Sequence, residues 1–113
     1  MKKKSCLLVH QILIGGDRML SFLNNYFTYD DVEDIKNSLS DNVIFNLDCN
    51  EKNVIKIIEL LNSLNINIIK ELIINYYYLF LNTYDEVRNM FSGISSEDVN
   101  NINYDVSYIE KFL

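Results

Sequence analysis

The sequence predicts a mainly α-helical protein, a small domain of about six or seven short helices with at most one or two short strands. Two observations lead to this prediction. Apolar residues recur at helical spacing through residues 50–82, and Thr28, Thr83 and Ser95 each begin a stretch of polar residues typical of a helix start. With 113 residues the chain is long enough for one compact domain, so we treat residues 1–113 as a single domain.

The first part of the chain predicts short elements. Residues 5–14 are mostly apolar, and their pattern fits either a buried strand or a short helix. A Gly-Gly pair ends this segment, and Asp17 can cap a helix over 17–27. Thr28 then opens a capping box for a short helix over 31–39.

Residues 43–47, with the sequence VIFNL, are the strongest strand candidate in the chain. They are short, rich in β-branched and aromatic residues, and bounded by polar turn residues. A loop fits this segment almost as well, so the predicted sheet content is very small.

The strongest pattern, in residues 50–82, predicts two consecutive amphipathic helices joined by a tight turn. In the first, which Asn50 can cap, apolar residues form one stripe and polar residues take the opposite face. The second, running to about Leu81, is apolar nearly all round and must be covered by the rest of the domain or by a second chain. The predicted core residues are Val54, Ile57, Ile58, Leu61 and Leu64 in the first helix, and Ile69, Leu72, Ile73, Tyr76 and Phe80 in the second.

The last part of the chain predicts further short helices. Thr83 opens a second capping box, and Gly93 suits the left-handed position that ends the helix. Ser95 caps the next helix, and residues 104–113 are in register for one last turn or two. We expect residues 83–113 to form a helical C-terminal extension of a core that covers about 5–82.

The charge argues against one class of function, and the composition indicates an origin. The net charge of −6 and the pI near 4.6 argue against nucleic acid as a partner, because phosphates require clustered Lys and Arg. The absence of proline and the abundance of Asn, Ile, Tyr and Lys indicate an AT-rich genome, as in large DNA viruses, protists and some low-GC bacteria. This composition points to an origin and carries no information about activity.

The predicted location is the cytoplasm. No run approaches the 18 apolar residues of a membrane span, and the N-terminal lysines and apolar run are not followed by a clean signal-peptide cleavage site. Cys6 and Cys49 lie far apart without metal-ligand spacing, so we expect free buried thiols in a reducing compartment.

No catalytic or cofactor site is predicted. His10 is the only histidine, and no orienting acid stands near it and the neighbouring Cys6 or Ser5. The acids in 30–34 lack the alternating ligands and central glycine of a calcium loop, and the Gly-Gly pair lacks the flanking pattern of a phosphate loop. We therefore expect a protein that is not an enzyme and holds no metal or cofactor.

The tyrosine run at 76–78 is the strongest functional signal in the residues themselves. Tyrosine is favoured at protein interfaces because its ring buries apolar area while its hydroxyl finds a hydrogen-bond partner. The predicted interface comprises Tyr76, Tyr77, Tyr78, Leu81, Tyr84 and Phe91.

Three stretches carry a family resemblance. The central one has Asn53-Val54 at a helix start, then Ile57-Ile58, Leu61, Leu64-Asn65-Ile66, Leu72 and Phe80-Leu81. Upstream, Val9-His10 with Ile12-Leu13 is similar to a VH-x-x-L segment, and downstream 91–99 is similar to an F-x-x-L-x-x-E-D-L element. This pattern resembles a truncated BTB/POZ domain with part of a BACK extension, of the kind found in poxvirus BTB-kelch proteins. The resemblance covers roughly half of the chain.

The resemblance implies a protein-interaction module that forms a homodimer and can recruit a cullin-3 ubiquitin ligase. The implied protein is a viral adaptor or competitor in the host cytoplasm, with host cullin-3 or a host BTB protein as its partner. An alternative is a viral Bcl-2-like or death-fold helical inhibitor of host apoptosis or innate immune signalling. Residues 68–81 would then form a central apolar helix beside a groove for an amphipathic peptide.

Overall fold

The computed structural model describes residues 19–113, and these residues form helices and turns without any strand. The mainly α-helical class predicted from the sequence is therefore confirmed. In chain order the elements are the 3₁₀-helix η1 (Ser21–Asn25), then α1 (Tyr29–Ser38), α2 (Asp41–Cys49), α3 (Glu51–Ser63), α4 (Ile69–Asn75), the 3₁₀-helix η2 (Tyr77–Leu81), α5 (Tyr84–Met90), α6 (Ser96–Tyr104) and the 3₁₀-helix η3 (Val106–Phe112).

The chain divides into two compact units, of which the first is Met1–Glu51. In its described part α1 packs against η1. The backbone N–H of Leu20, a residue in the left-handed conformation with φ 61°, donates to Asp48 Oδ1 on α2 at 2.8 Å. The buried apolar side chains of this part are Leu20, Phe22, Leu23, Val32, Ile35 and Leu47.

The second unit is Lys52–Leu113. Within it α4 packs against η2, and α6 packs against η3. The predicted core stripe is buried as expected, except that Leu64 is only half-buried. The buried apolar side chains are Val54, Ile57, Ile58, Leu61, Ile66, Ile69, Leu72, Ile73, Tyr76, Leu79, Phe80, Val87, Phe91, Val99, Ile102 and Ile109.

The predicted strand at 43–47 is wrong, because these residues lie within α2. Ser40 caps this helix, since its hydroxyl accepts the N–H of Val43 at 3.3 Å. Val43, Ile44 and Leu47 also recur at helical spacing, so the segment satisfies a helical pattern as well as a β-branched one. The cap upstream of the segment decides between the two.

The prediction of one apolar helix running to about Leu81 is also wrong, because the backbone leaves the helical conformation at Tyr76. That residue has φ −135° and ψ 47°, and it separates α4 from η2. A straight helix that is apolar on every side would leave one side in water. After the break, Phe80 from the predicted stripe and Leu79 from outside it are both fully buried in η2.

The predicted helix starts are largely confirmed. Thr28 Oγ1 accepts the N–H of Asp31 at 3.1 Å, and the helix begins at Tyr29, two residues before the predicted start. Thr83 and Ser95 each form the complete capping box. The prediction that Asn50 caps the start of α3 is wrong, because its side chain instead donates to the carbonyl of Asn46 at 2.8 Å and closes the end of α2.

Gly93 has φ 77°, which confirms the left-handed conformation predicted after α5. The helix predicted over 17–27 is, in its described part, a turn followed by the short 3₁₀-helix η1. Predictions for 5–14, the Gly-Gly pair, Asp17, His10 and Cys6 lie outside the described residues.

Cys49 is disulfide-bonded, so the prediction of a free thiol at this position is wrong. Disulfides persist in oxidising compartments and are rare where glutathione keeps thiols reduced. Separately, none of the helices in 19–113 is long and apolar enough to cross a membrane.

Candidate functional site

A groove on the second unit lies between α3 and α5, and we call it the α3–α5 groove. It consists of two adjoining concavities of about 380 Å³ and about 460 Å³ that share Leu60. The first is lined by Lys56, Glu59, Leu60, Ser63 and Tyr84. The second is lined by Leu60, Leu64, Arg88, Asn89, Phe91, Ser92 and Gly93.

The aromatic ring of Tyr84 lies close to two cations in this groove. Lys56 Nζ lies 5.9 Å from the ring centroid, and Arg88 Cζ lies 6.0 Å from it. Both distances are within the range in which a cation is attracted to the face of a tyrosine ring. The two helices therefore hold an aromatic side chain and two positive charges close together on a partly exposed surface.

Asn53 and the capping box of α5 position Tyr84. The Tyr84 backbone N–H donates to Asn53 Oδ1 at 3.1 Å, so α3 holds the start of α5 directly. In the capping box, Thr83 Oγ1 accepts the N–H of Glu86 at 3.1 Å, and Glu86 Oε1 accepts the N–H of Thr83 at 2.9 Å. Because both ends of this first turn are bonded, the ring of Tyr84 projects from a fixed backbone.

Leu60, Leu64 and Phe91 form the apolar part of the groove. Leu60 and Leu64 are half-buried, while Phe91 is only 3% exposed. The Phe91 ring packs against Phe112 of η3, with ring centroids 5.7 Å apart. The groove therefore has an apolar lining that is supported from beneath by the C-terminal 3₁₀-helix.

The six residues of the predicted interface do not share one environment. Tyr76 is 8% exposed and Phe91 is 3% exposed, so both rings are mostly buried. Tyr77 and Leu81 are half-buried, and Tyr78 is 48% exposed. Of the six, only Tyr84 and Phe91 line the α3–α5 groove.

Tyr76 is a structural residue that ties α4 to the C-terminal segment. Its hydroxyl donates to Glu110 Oε2 at 2.5 Å. This hydrogen bond, together with burial, raises the pKa of Tyr76 to about 12, because the carboxylate favours the protonated hydroxyl. Tyr77 and Tyr78 make an edge-on ring contact at 5.8 Å beside it.

A second polar cluster holds η3 against α6. The Tyr108 hydroxyl donates to Asp98 Oδ1 at 2.9 Å and accepts from Lys111 Nζ at 2.9 Å. The hydrogen bond from Tyr108 lowers the pKa of the Asp98 carboxyl, and the hydrogen bond to Tyr108 raises the pKa of the Lys111 ammonium. These groups stabilise the charged forms of one another at the surface and fix the end of the chain.

Sequence reasoning missed most of the groove. Lys56 was assigned to the solvent face and Leu64 to the core, and Leu60 and Arg88 received no role. A signal for the groove does exist, since Lys56 and Leu60 lie four residues apart on α3, with Leu64 four residues further on, just after the helix ends, and Tyr84 and Arg88 lie four apart on α5. The sequence does not show that these two helix faces lie side by side in the fold.

Comparisons with protein-family models, with curated proteins and with solved structures find no match. The described residues also contain no group of three or more His, Cys, Asp or Glu side chains that could hold a metal ion. The groove offers apolar contact, an aromatic ring and two positive charges, and these are the means of recognising another molecule.

Proposed function

We propose that the protein is a non-enzymatic interaction module that binds a protein partner through the α3–α5 groove. The observation that carries this proposal is the Tyr84 ring, which has both Lys56 and Arg88 within about 6 Å of its centroid and lines the same concavity as Leu60. Tyrosine and arginine are enriched among the residues that dominate binding energy at protein interfaces. A fixed ring beside apolar side chains is suited to anchoring such a contact.

We further propose that the partner is host cullin-3 or a host BTB protein, and that the chain is a viral adaptor or competitor in the host cytoplasm. Support comes from the BTB/POZ-like residues, of which Ile57 and Ile58 form the buried side of α3 and Asn53 holds the start of α5. In a reducing cytoplasm the disulfide at Cys49 would open. Folding there would depend on packing and hydrogen bonds alone.

The alternative is a Bcl-2-like or death-fold inhibitor of host apoptosis or innate immune signalling, which the helical fold and the acidic charge motivate. A Bcl-2-like fold would need a continuous apolar helix over 68–81, whereas α4 ends at Asn75 and the backbone breaks at Tyr76. We therefore prefer the BTB-like proposal.

Affinity purification from host cells tests the proposal. The parent chain should recover cullin-3 or a BTB protein, and Tyr84→Ala should weaken the recovery because a central aromatic anchor contributes about 2 kcal/mol or more. Tyr104→Ala is the matched control, since this tyrosine is 93% exposed and does not line the groove. Recovery of neither partner, together with a monomer by light scattering, would count against the proposal.

A further inference from the structure

The α3–α5 groove carries positive charge on an acidic molecule. The charged side chains lining it are Lys56, Arg88 and Glu59, which together carry one net positive charge, whereas the whole chain has a net charge of −6. Glu59 already has an interaction partner in the structure. The two positive charges of the lining both lie within about 6 Å of the Tyr84 ring centroid and outnumber the one carboxylate.

Both cations remain available to a bound molecule. Arg88 approaches Asp85 at 3.8 Å, but the two side chains are 61% and 78% exposed, and such surface pairs contribute little. Lys56 has no ion pair with any other described residue. The nearby Tyr84 ring leaves both cations charged. Each can therefore still pair with a carboxylate.

The apolar lining lies beside these charges. Leu60 belongs to both concavities, with Lys56 in one of them and with Leu64 and Arg88 in the other. A ligand that places carboxylates near the cations therefore has an apolar surface next to them. This combination fits a peptide segment better than a free anion, which would leave Leu60 and Leu64 uncovered.

Resting on the proposed function, we infer that the groove takes an acidic amphipathic segment of the protein partner. Its carboxylates pair with Lys56 and Arg88, and its apolar side chains pack on Leu60 and Leu64. The charges determine which segments bind, because a basic segment would place like charges against Lys56 and Arg88. The apolar contacts supply most of the affinity.

Selection of random peptides displayed on phage tests this inference directly. The full chain should enrich peptides with Asp or Glu next to Leu, Ile or Phe. The double variant Lys56→Glu/Arg88→Glu should instead enrich Lys and Arg, and should bind the peptides selected on the parent about tenfold or more weakly. Lys70→Glu, a charge reversal of the same kind in the second unit but outside the groove, should select the same peptides as the parent.

Three results would overturn the inference: no enrichment on the parent, enrichment without acidic residues, or the same peptides on the parent and the double variant. Binding of the parent to phosphatidylserine vesicles in place of peptides would also overturn it. Failure of the proposed function is distinguishable from these results. If Tyr84→Ala recovers its partner as well as the parent does, the groove is not the partner site, whatever peptides are selected.

Discussion

At the scale of single residues, Asn53 makes the most consequential polar contacts in the second unit. Its side-chain amide donates to the carbonyl of Asn82 at 2.7 Å and to that of Phe80 at 3.4 Å. Its Oδ1 accepts the N–H of Tyr84 at 3.1 Å. One side chain on α3 thus satisfies the end of η2 and the start of α5, and so sets the position of the groove's central ring.

Replacing Asn53 should destabilise the fold. Asn53→Ala removes the partners of three backbone groups and should lower the free energy of unfolding by about 1–3 kcal/mol. Asn53→Asp should cost at least as much, because it keeps the acceptor for Tyr84 but places a carboxylate against two carbonyl oxygens. Urea denaturation followed by far-UV circular dichroism measures both changes. Asn100→Ala, at an exposed position of α6, is the control, and equal stabilities for Asn53→Ala and this control would contradict the assignment.

Tyr76 should make stability depend on alkaline pH. Its pKa rises from 10.0 in the unfolded chain to about 12 in the fold, so the fold favours the neutral hydroxyl. This stabilisation is fully present below pH 10 and is lost as the pH rises through 12. Tyr76→Phe should remove that dependence and remove a tyrosinate that forms near pH 12 in an ultraviolet absorbance titration. If the variant instead lacks a group that titrates near 10, the hydroxyl is not held by Glu110.

The tyrosine run at 76–78 could be predicted from the sequence only in part. Three consecutive tyrosines indicated an interface, but the pattern alone could not tell which rings face inward. Burial of Tyr76 depends on Glu110, which lies 34 positions away in the sequence. A contact of that separation leaves no periodic signal in the sequence.

At the scale of elements, α3 and α4 form the center of the second unit's core. Leu61 and Leu72 have no exposed area. An aspartate at either position would bury an unpaired carboxylate, at a cost of several kcal/mol against a typical total stability of about 5–15 kcal/mol.

Leu61→Asp and Leu72→Asp should therefore unfold the second unit, and loss of the helical circular dichroism signal would show this. Asn62→Asp changes the exposed neighbour of Leu61 on the same helix and should melt close to the parent. A Leu61→Asp protein with the parent's melting temperature would mean that α3 is packed by its other face.

Elements with a local cause were predictable, and elements with a tertiary cause were not. The caps at Thr28, Thr83 and Ser95 depend on contacts three residues away, and the sequence shows them directly. The helix at 41–49 was not predicted, because its short run of β-branched and aromatic residues indicated a strand. The helix breaks at Tyr76 because the rest of the second unit must cover a segment that is apolar on every side. This requirement is tertiary, so no local sequence pattern shows it.

At the scale of the whole molecule, an acidic helical protein carries a groove in which two cations lie beside an aromatic ring. The fold class and most of the core follow from apolar periodicity. The groove does not, because it arises where faces of α3 and α5 that look ordinary in the sequence are brought together by Asn53. Only Tyr84 and Phe91 of the predicted interface belong to it.

The central claim, that the α3–α5 groove binds a host partner, is tested most directly by titrating purified cullin-3 onto the immobilised chain. We expect saturable binding, and we expect Tyr84→Ala and Lys56→Glu/Arg88→Glu each to weaken it by about tenfold or more. A tenfold change in Kd corresponds to about 1.4 kcal/mol of binding free energy. Tyr104→Ala should bind like the parent. If cullin-3 does not bind, or if all four proteins bind it equally, the proposed role of the groove in cullin-3 binding is contradicted.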